Sequence, residues 1–227
     1  MPEESLDLFK DGRLKLIQSR YGYRFSIDAI LLSEFVTLKK GDMVVDLGTG
    51  CGIILLLILH KGIAEKCYGL EIQKNLCGQA LRNAAINGFE EKMKIIMGDI
   101  KQSPLKDGMA DLVICNPPYR RFNSGRINPD AERAIARHEI LASLEDILKN
   151  ARNLLRKRGR FAMIYPAERI VDLFSRMRSL NLEPKRIQLV YPSLETGAKL
   201  LLVEALAGGN PGLSVSPPLI GQGDYSI

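Results

Sequence analysis

The stretch Val44-Val45-Asp46-Leu47-Gly48-Thr49-Gly50-Cys51-Gly52 decides the fold. Met43–Leu47 is a short apolar run that follows the turn residues Lys39-Lys40-Gly41-Asp42, the pattern of a strand buried in a parallel sheet. Ile53–His60 follows the glycines. It is apolar around its whole circumference, which predicts a helix packed against that sheet. Glycines at 48, 50 and 52 permit positive φ and let the backbone approach a ligand. A strand, a glycine turn and a helix in this order form the first unit of an open α/β sheet, which binds ligands at the carboxyl ends of its strands. The spacing sorts the ligands. A dinucleotide fingerprint GxGxxG would need its third glycine at position 53, which is Ile53, and no GK[ST] follows to make a P-loop.

Outward from this unit, strands and helices alternate. Lys66–Glu71, Met93–Met97 and Asp111–Cys115 read as strands. Gln73–Asn87 reads as a helix with Leu76, Ala80, Leu81 and Ala84 turned inward and Gly88 at its C-terminal end. Ser143 can cap a helix with Glu145 and Asp146 in its first turn and Ile147, Leu148, Ala151, Leu154 and Leu155 on its apolar face. Gly159 is read as its stop. Arg160–Tyr165 is the next strand, and Ile170, Val171, Phe174 and Met177 mark another helix. Arg186–Tyr191 and Lys199–Ala205 are the last two strands.

The expected architecture is therefore α/β: a Rossmann-like, doubly wound, mostly parallel seven-stranded sheet with an antiparallel C-terminal strand. Residues 1–40 read as an N-terminal lead-in without a regular pattern before a helix at Ile27–Leu38. Residues 41–207 form the main domain. Residues 208–227, rich in Gly, Pro and Ser, form a tail that is loosely ordered or clamped only locally.

Composition narrows the class. The chain has 227 residues, 46% apolar and 26% charged, which suits one globular domain with an ample core. The longest strongly apolar run, Cys51–His60, is about half of what a membrane span requires. The acidic start Met1-Pro2-Glu3-Glu4-Ser5 argues against a secretory signal. Cys51, Cys67, Cys77 and Cys115 show no CxxC spacing and His60 and His138 are the only histidines, so the expectation is no metal and reduced thiols in a cytoplasmic protein. The formal charge is +6. Between Arg120 and Arg160 eleven Lys or Arg stand against five Asp or Glu, so this stretch carries the whole excess. A phosphate-bearing partner and a solvated basic surface both account for it.

The arrangement Asp46-x-Gly48-x-Gly50-x-Gly52 resembles the first motif of class I S-adenosylmethionine-dependent methyltransferases. Two further acids stand where that family has them. Glu71 ends the second strand of the domain, and Asp99 lies in Gly98-Asp99-Ile100 after the third. The resemblance implies S-adenosyl-L-methionine as cofactor. The loop Gly48, Thr49, Gly50 and Gly52 would hold its methionine part and Asp46 would orient the amino group. Glu71, with Ile72 beside it, would take the ribose hydroxyls. Asp99, with Ile100, would take the adenine amine. Read without the resemblance, these acids are caps at strand ends.

Asn116-Pro117-Pro118-Tyr119 directly follows the fourth strand. There it resembles the catalytic loop of methyltransferases acting on planar nitrogens, and Asn116 would also border the cofactor. An exocyclic amine is a weak nucleophile because its lone pair is delocalised into the ring. The Asn116 side-chain oxygen and the Pro117 carbonyl can each accept one of its N–H groups and favour a pyramidal nitrogen. Prolines hold such acceptors in place. Tyr119 can stack on a base that has been turned out of its helix or loop.

The segment Arg24-Phe25-Ser26-Ile27-Asp28-Ala29-Ile30-Leu31-Leu32 is similar to one in bacterial tRNA N6-adenine methyltransferases that act on valine tRNA next to the anticodon. In that family it covers the cofactor, which makes Ser26 and Asp28 contacts; the alternative is an ordinary helix capped by Ser26. The resemblance runs from about residue 20 to 220, and the tail Gly221–Ser226 is less acidic than the family suggests. RNA, with tRNA foremost, is the implied partner. Arg120, Arg121 and Arg126 would contact its phosphates.

Arg152, Arg156, Lys157, Arg158 and Arg160 are either further RNA contacts or cations at a helix C-terminus. The alternatives for function are a protein glutamine-N5 methyltransferase of release factors, a ribosomal RNA guanine-N2 methyltransferase and a non-catalytic RNA-binding module. Only 45 residues precede Asp46, which leaves little room for the helical domain of the first, and the duplicated domain often found in the second would not fit in 227 residues. The intact Asn116 and glycine loop argue against the third.

Overall fold

A computed structural model of the chain describes residues 4–20, 27–117 and 142–221. Among these the strands are β1 (Glu4–Phe9), β2 (Leu14–Ser19), β3 (Met43–Leu47), β4 (Lys66–Glu71), β5 (Met93–Met97), β6 (Ala110–Cys115), β7 (Leu155–Pro166), β8 (Leu182–Tyr191), β9 (Leu200–Ala207), β10 (Ser214–Val215) and β11 (Leu219–Ile220). The helices are α1 (Ile27–Phe35), α2 (Ile53–His60), α3 (Lys74–Ile86), α4 (Leu144–Leu154) and α5 (Ile170–Ser179).

The main sheet runs β5-β4-β3-β6-β7-β9-β8. Pairing is parallel from β5 across to β7, and β9 lies antiparallel between β7 and β8. The mostly parallel sheet expected from the sequence is present, and the short strands β10 and β11 bring its seven expected strands to nine. Chain order reverses between β3 and β6, so the connections after these neighbouring strands leave in opposite directions and open a crevice at their carboxyl ends.

Alternating side chains feed two cores. Val44, Leu112 and Ile114 face α1, α2 and α3, whereas Val45, Val113 and Cys115 face α4 and α5. Helix α2 is buried at every position from Ile53 to Leu59, as its uniform apolarity requires. At the head of α4, Ser143 and Asp146 form a reciprocal capping box.

Several local expectations are corrected. The lead-in is not irregular: β1 and β2 pair as an antiparallel hairpin around Lys10, Asp11 and Gly12, all at positive φ. The alternation Leu14-Lys15-Leu16 carries it, because Leu14 and Leu16 enter the core beside α2 and α3. Helix α1 ends at Phe35 rather than Leu38. Helix α4 stops at Leu154 rather than Gly159, and β7 starts with a bulge that sets Leu155 opposite Ala110 and Arg160 opposite Leu112. Gly159 belongs to that bulge: an added Cβ would stand 2.9 Å from Leu155 and 3.0 Å from the Arg156 carbonyl. Leu81 and Val171 point to solvent, since Cys77 and Leu173 take the buried positions of their helices. Of the two forms expected for the tail, the local clamp is the one seen, through residue 221. β10 and β11 add to β8 in parallel, and Gln188 donates to the Pro217 carbonyl at 2.9 Å.

Candidate active site

The crevice predicted by the strand order is a cleft of about 790 Å³, open mouth included. Its walls come from the ends of three strands. β3 contributes Leu47, followed by Gly48 and Gly50 of the loop, β4 contributes Leu70 and Glu71, and β6 contributes Cys115, followed by Asn116 and Pro117. Gly98, Asp99 and Ile100 close the far side, and Ala142 and Ile147 close the side towards α4.

Hydrogen bonds shape the glycine loop. The N–H groups of Gly48 and Thr49 donate to the Leu70 carbonyl at 2.8 and 3.1 Å, and that of Gly50 donates to Glu71 Oε2 at 2.9 Å. Gly52 has φ +86, a conformation that disfavours any side chain, and a Cβ there would also crowd the Met93 methyl and stand 3.3 Å from Ala80. Gly48 also has positive φ (+75) but faces open space.

The three acids differ in surroundings. Asp46 is 1% exposed; its Oδ2 accepts from the Thr49 hydroxyl at 2.8 Å, and its Oδ1 is buried with no hydrogen-bond partner among the described residues. Burial pushes its carboxyl up to about 7. The Thr49 hydroxyl opposes this rise and the neighbouring Glu71 charge adds to it. Glu71 is buried as well, but each oxygen takes a backbone N–H, from Gly50 and from Gln73, both at 2.9 Å. One lone pair on each oxygen stays available. Asp99 is half-buried; its Oδ1 accepts from the Lys101 N–H at 2.9 Å and so starts a single 3-10 turn.

Of the residues named from the sequence, Gly48, Gly50, Glu71, Ile72, Asp99, Ile100, Asn116 and Pro117 line one cleft. Asp46, Thr49 and Gly52 do not line it; they support the loop from within. Asp28 is buried in α1 and is likewise not part of the lining. Ser26, Pro118, Tyr119, Arg120, Arg121 and Arg126 lie outside the described residues. Sequence reasoning missed Gln73, Leu76, Ala142 and Ile147. Leu76 and Ile147 read as core positions in the sequence, and only the fold shows that the ends of those apolar faces reach the cleft.

The basic cluster near residue 155 divides. Arg160 is buried and donates to Asp42 Oδ1 and to the Thr37 carbonyl, both at 2.6 Å. Arg156 pairs with Asp111. Arg156 lies near the amino-terminal end of β7 and Arg160 stands opposite Leu112 in the first half of β6, whereas Asn116 follows the carboxyl end of β6. Arg160 is therefore a structural cation and not part of an RNA surface. All four cysteines are buried free thiols, and burial pushes Cys51 to about 11 and Cys67 to about 12.

Residues 38–200 match the family model described as a methyltransferase domain. A tRNA1(Val) (adenine(37)-N6)-methyltransferase of Parabacteroides distasonis is 30% identical over 200 residues, which cover 88% of this chain and 83% of that protein. Its namesake from Porphyromonas gingivalis is 32% identical over 175 residues, 74% of this chain and 68% of that protein. Among solved structures, a predicted O-methyltransferase from Agrobacterium tumefaciens superposes with a TM-score of 0.69 at 21% identity, covering 88% of this chain and 89% of the other. A geranyl diphosphate methyltransferase in complex with S-adenosylmethionine gives 0.58 at 16% identity, covering 79% and 84%. At these identities the two structures bear on the fold.

Proposed function

Because the chain belongs to the methyltransferase-domain family, alongside the tRNA1(Val) (adenine(37)-N6)-methyltransferases, we propose that it methylates the exocyclic N6 of an adenine in RNA, with tRNA near the anticodon as the substrate. The observation that carries this reading is one cleft bordered both by Asn116-Pro117 and by the glycine loop with Glu71 and Asp99.

The residues present fit S-adenosylmethionine. Asp46, beneath the glycine loop and outside the cleft lining, holds a buried carboxylate oxygen with no partner among the described residues, which suits a cationic amino group reached by a shift of the loop or through water. Glu71 keeps one lone pair on each oxygen for a pair of ribose hydroxyls. Asp99, half-buried at the other end of the cleft, can accept from the adenine amine. Leu47, Leu70, Ile100 and Cys115 supply apolar walls for the remainder. When bound, the cofactor would supply an electrophilic methyl group and, with its methyl–sulfur bond broken, depart as the neutral thioether.

The chain's own part is to present the nucleophile. The Asn116 side-chain oxygen and the Pro117 carbonyl each accept one N–H of the target amine. This draws its lone pair out of conjugation and towards the cofactor side of the cleft. Pro117 is buried and Pro118 follows it in sequence, so the two acceptors keep their spacing without being ordered at each turnover. Nitrogen becomes cationic as the new bond forms, and its proton then leaves to water, so a general base is not required. Arg120, Arg121 and Arg126 follow this loop in sequence and supply cations for phosphates around the turned-out base.

The test is incubation with methyl-labelled S-adenosylmethionine and separated pools of tRNA, ribosomal RNA, DNA and release factor, followed by nucleoside and amino-acid analysis. Label in N6-methyladenosine from tRNA is expected. Label in methylglutamine, or in methylguanosine from ribosomal RNA, would overturn the assignment.

A further inference from the structure

Asn83 takes no part in the roles described so far. It lies in the third turn of α3, is 0% exposed, and uses its whole side-chain amide. Oδ1 accepts from the Ile17 N–H at 2.6 Å, and Nδ2 donates to the carbonyls of Ile17 and Cys51, both at 2.9 Å. Four residues on, Asn87 repeats half of this pattern. It accepts from the Lys15 N–H at 2.9 Å and donates to the Lys15 carbonyl at 2.7 Å, but its second N–H returns to the Asn83 carbonyl at 2.7 Å in its own helix.

The spacing of four puts both amides on one face of α3. Together they bond alternate residues along the outer edge of β2 as a further strand would, so the hairpin docks on a helix without exposing that edge. Only Asn83 goes further and reaches the glycine loop. There the loop is gripped at consecutive residues: Gly50 through its N–H by Glu71, and Cys51 through its carbonyl by Asn83. The next residue, Gly52, is at positive φ and opens α2, so the loop runs straight from these two grips into the buried helix.

The chemistry calls for an asparagine. A primary amide has two hydrogens set about 120° apart plus an acceptor, so it can bridge two carbonyls while also receiving an N–H. A carboxylate has no hydrogens to donate, and a hydroxyl has one. We propose that Asn83 is a positioning residue that ties the S-adenosylmethionine-binding loop to the N-terminal hairpin. The hairpin thereby becomes part of what shapes the cofactor site. This rests on reading Gly48–Gly52 as the cofactor loop.

The test compares Asn83→Ala with Asn87→Ala, using calorimetric titration with S-adenosylhomocysteine and thermal melts. Both variants lose hairpin bonds and melt at lower temperature than wild type. Asn83→Ala also binds S-adenosylhomocysteine ~10-fold more weakly, the scale of one buried hydrogen bond, whereas Asn87→Ala binds it as wild type does. Wild-type affinity in Asn83→Ala overturns the proposal, and so does an equal loss of affinity in both variants, which would trace the effect to hairpin docking alone. If Asn83→Ala does not fold, Asn83→Ser is read in the same way, because its single hydroxyl hydrogen cannot serve both carbonyls. Failure of wild type to bind S-adenosylhomocysteine overturns the cofactor reading, and this proposal with it.

Discussion

Asp46→Asn should stabilise the ligand-free protein at alkaline pH while weakening its hold on S-adenosylhomocysteine. The folded carboxyl titrates at about 7 against an ordinary 3.8, chiefly because it is buried, with Thr49 opposing and the Glu71 charge adding to the rise. A folded value above the unfolded one means that the folded state binds the proton more tightly. The group's contribution to stability is therefore fully present below about pH 4, declines as pH rises towards 7, and is level beyond that. At ~1.4 kcal/mol per unit of displacement, the cost of an ionised Asp46 at pH 8 has a ceiling of about 4 kcal/mol.

Asparagine keeps the volume and an acceptor for Thr49 but places amide hydrogens where Oδ1 has no partner among the described residues, so about half of that ceiling should be recovered. For a chain of this size, ~2 kcal/mol corresponds to a rise in melting temperature of about 4–8 °C at pH 8. The gain should disappear by about pH 4.5. Calorimetric titration supplies the second half of the test. A cationic amino group beside Asp46 would lower its carboxyl again, so wild type should release roughly half a proton on binding S-adenosylhomocysteine at pH 7. The variant should release none through this group. A variant that melts no higher than wild type at pH 8, or by the same margin at pH 4.5 and 8, would refute the reasoning.

Asn116→Ala should reduce methyl transfer by about 10²-fold or more while leaving S-adenosylhomocysteine affinity within a few-fold of wild type. Glu71→Ala should instead weaken S-adenosylhomocysteine by ~10-fold or more, because it removes the ribose acceptor and frees the Gly50 N–H. Titration calorimetry with single-turnover assays separates the two. Arg160→Ala leaves Asp42 buried without its cation and should cost about 3–5 kcal/mol of unfolding free energy in urea titrations. A surface role for Arg160 would predict almost no loss. Replacing Arg120 and Arg121 together by Ala should weaken tRNA binding and reduce the slope of log affinity against log salt by about 1–2; an unchanged slope would remove them from the interface.

How much was legible from sequence alone depended on how local the determinant was. The glycine loop, the strand before it and the buried helix after it follow from residue types within twenty positions, and the structure has all three. The capping box at Ser143 and Asp146 is equally local. The hairpin at Glu4–Ser19 was not legible, because its alternation is short and the free edge of β2 is covered by Asn83 and Asn87, more than sixty residues away. The end of α4 was misplaced for a similar reason. Gly159 looks like a helix stop, but it serves the close approach of the β7 bulge to Ala110. Arg160 sits within a run of exposed cations, and only the neighbouring strand shows that it neutralises Asp42.

By itself the sequence determined the chemistry on offer: a glycine turn between strand and helix, acids at strand ends, and an Asn-Pro-Pro-Tyr loop. These depend on backbone conformations and functional groups that individual residues carry. The tertiary structure decided which of them share a cleft. The reversal of strand order between β3 and β6 brings Asn116 beside a loop 64 to 68 residues earlier in the chain. It also decided that Asp46 loses its water while Asp99 keeps some, since burial is a property of packing and not of composition.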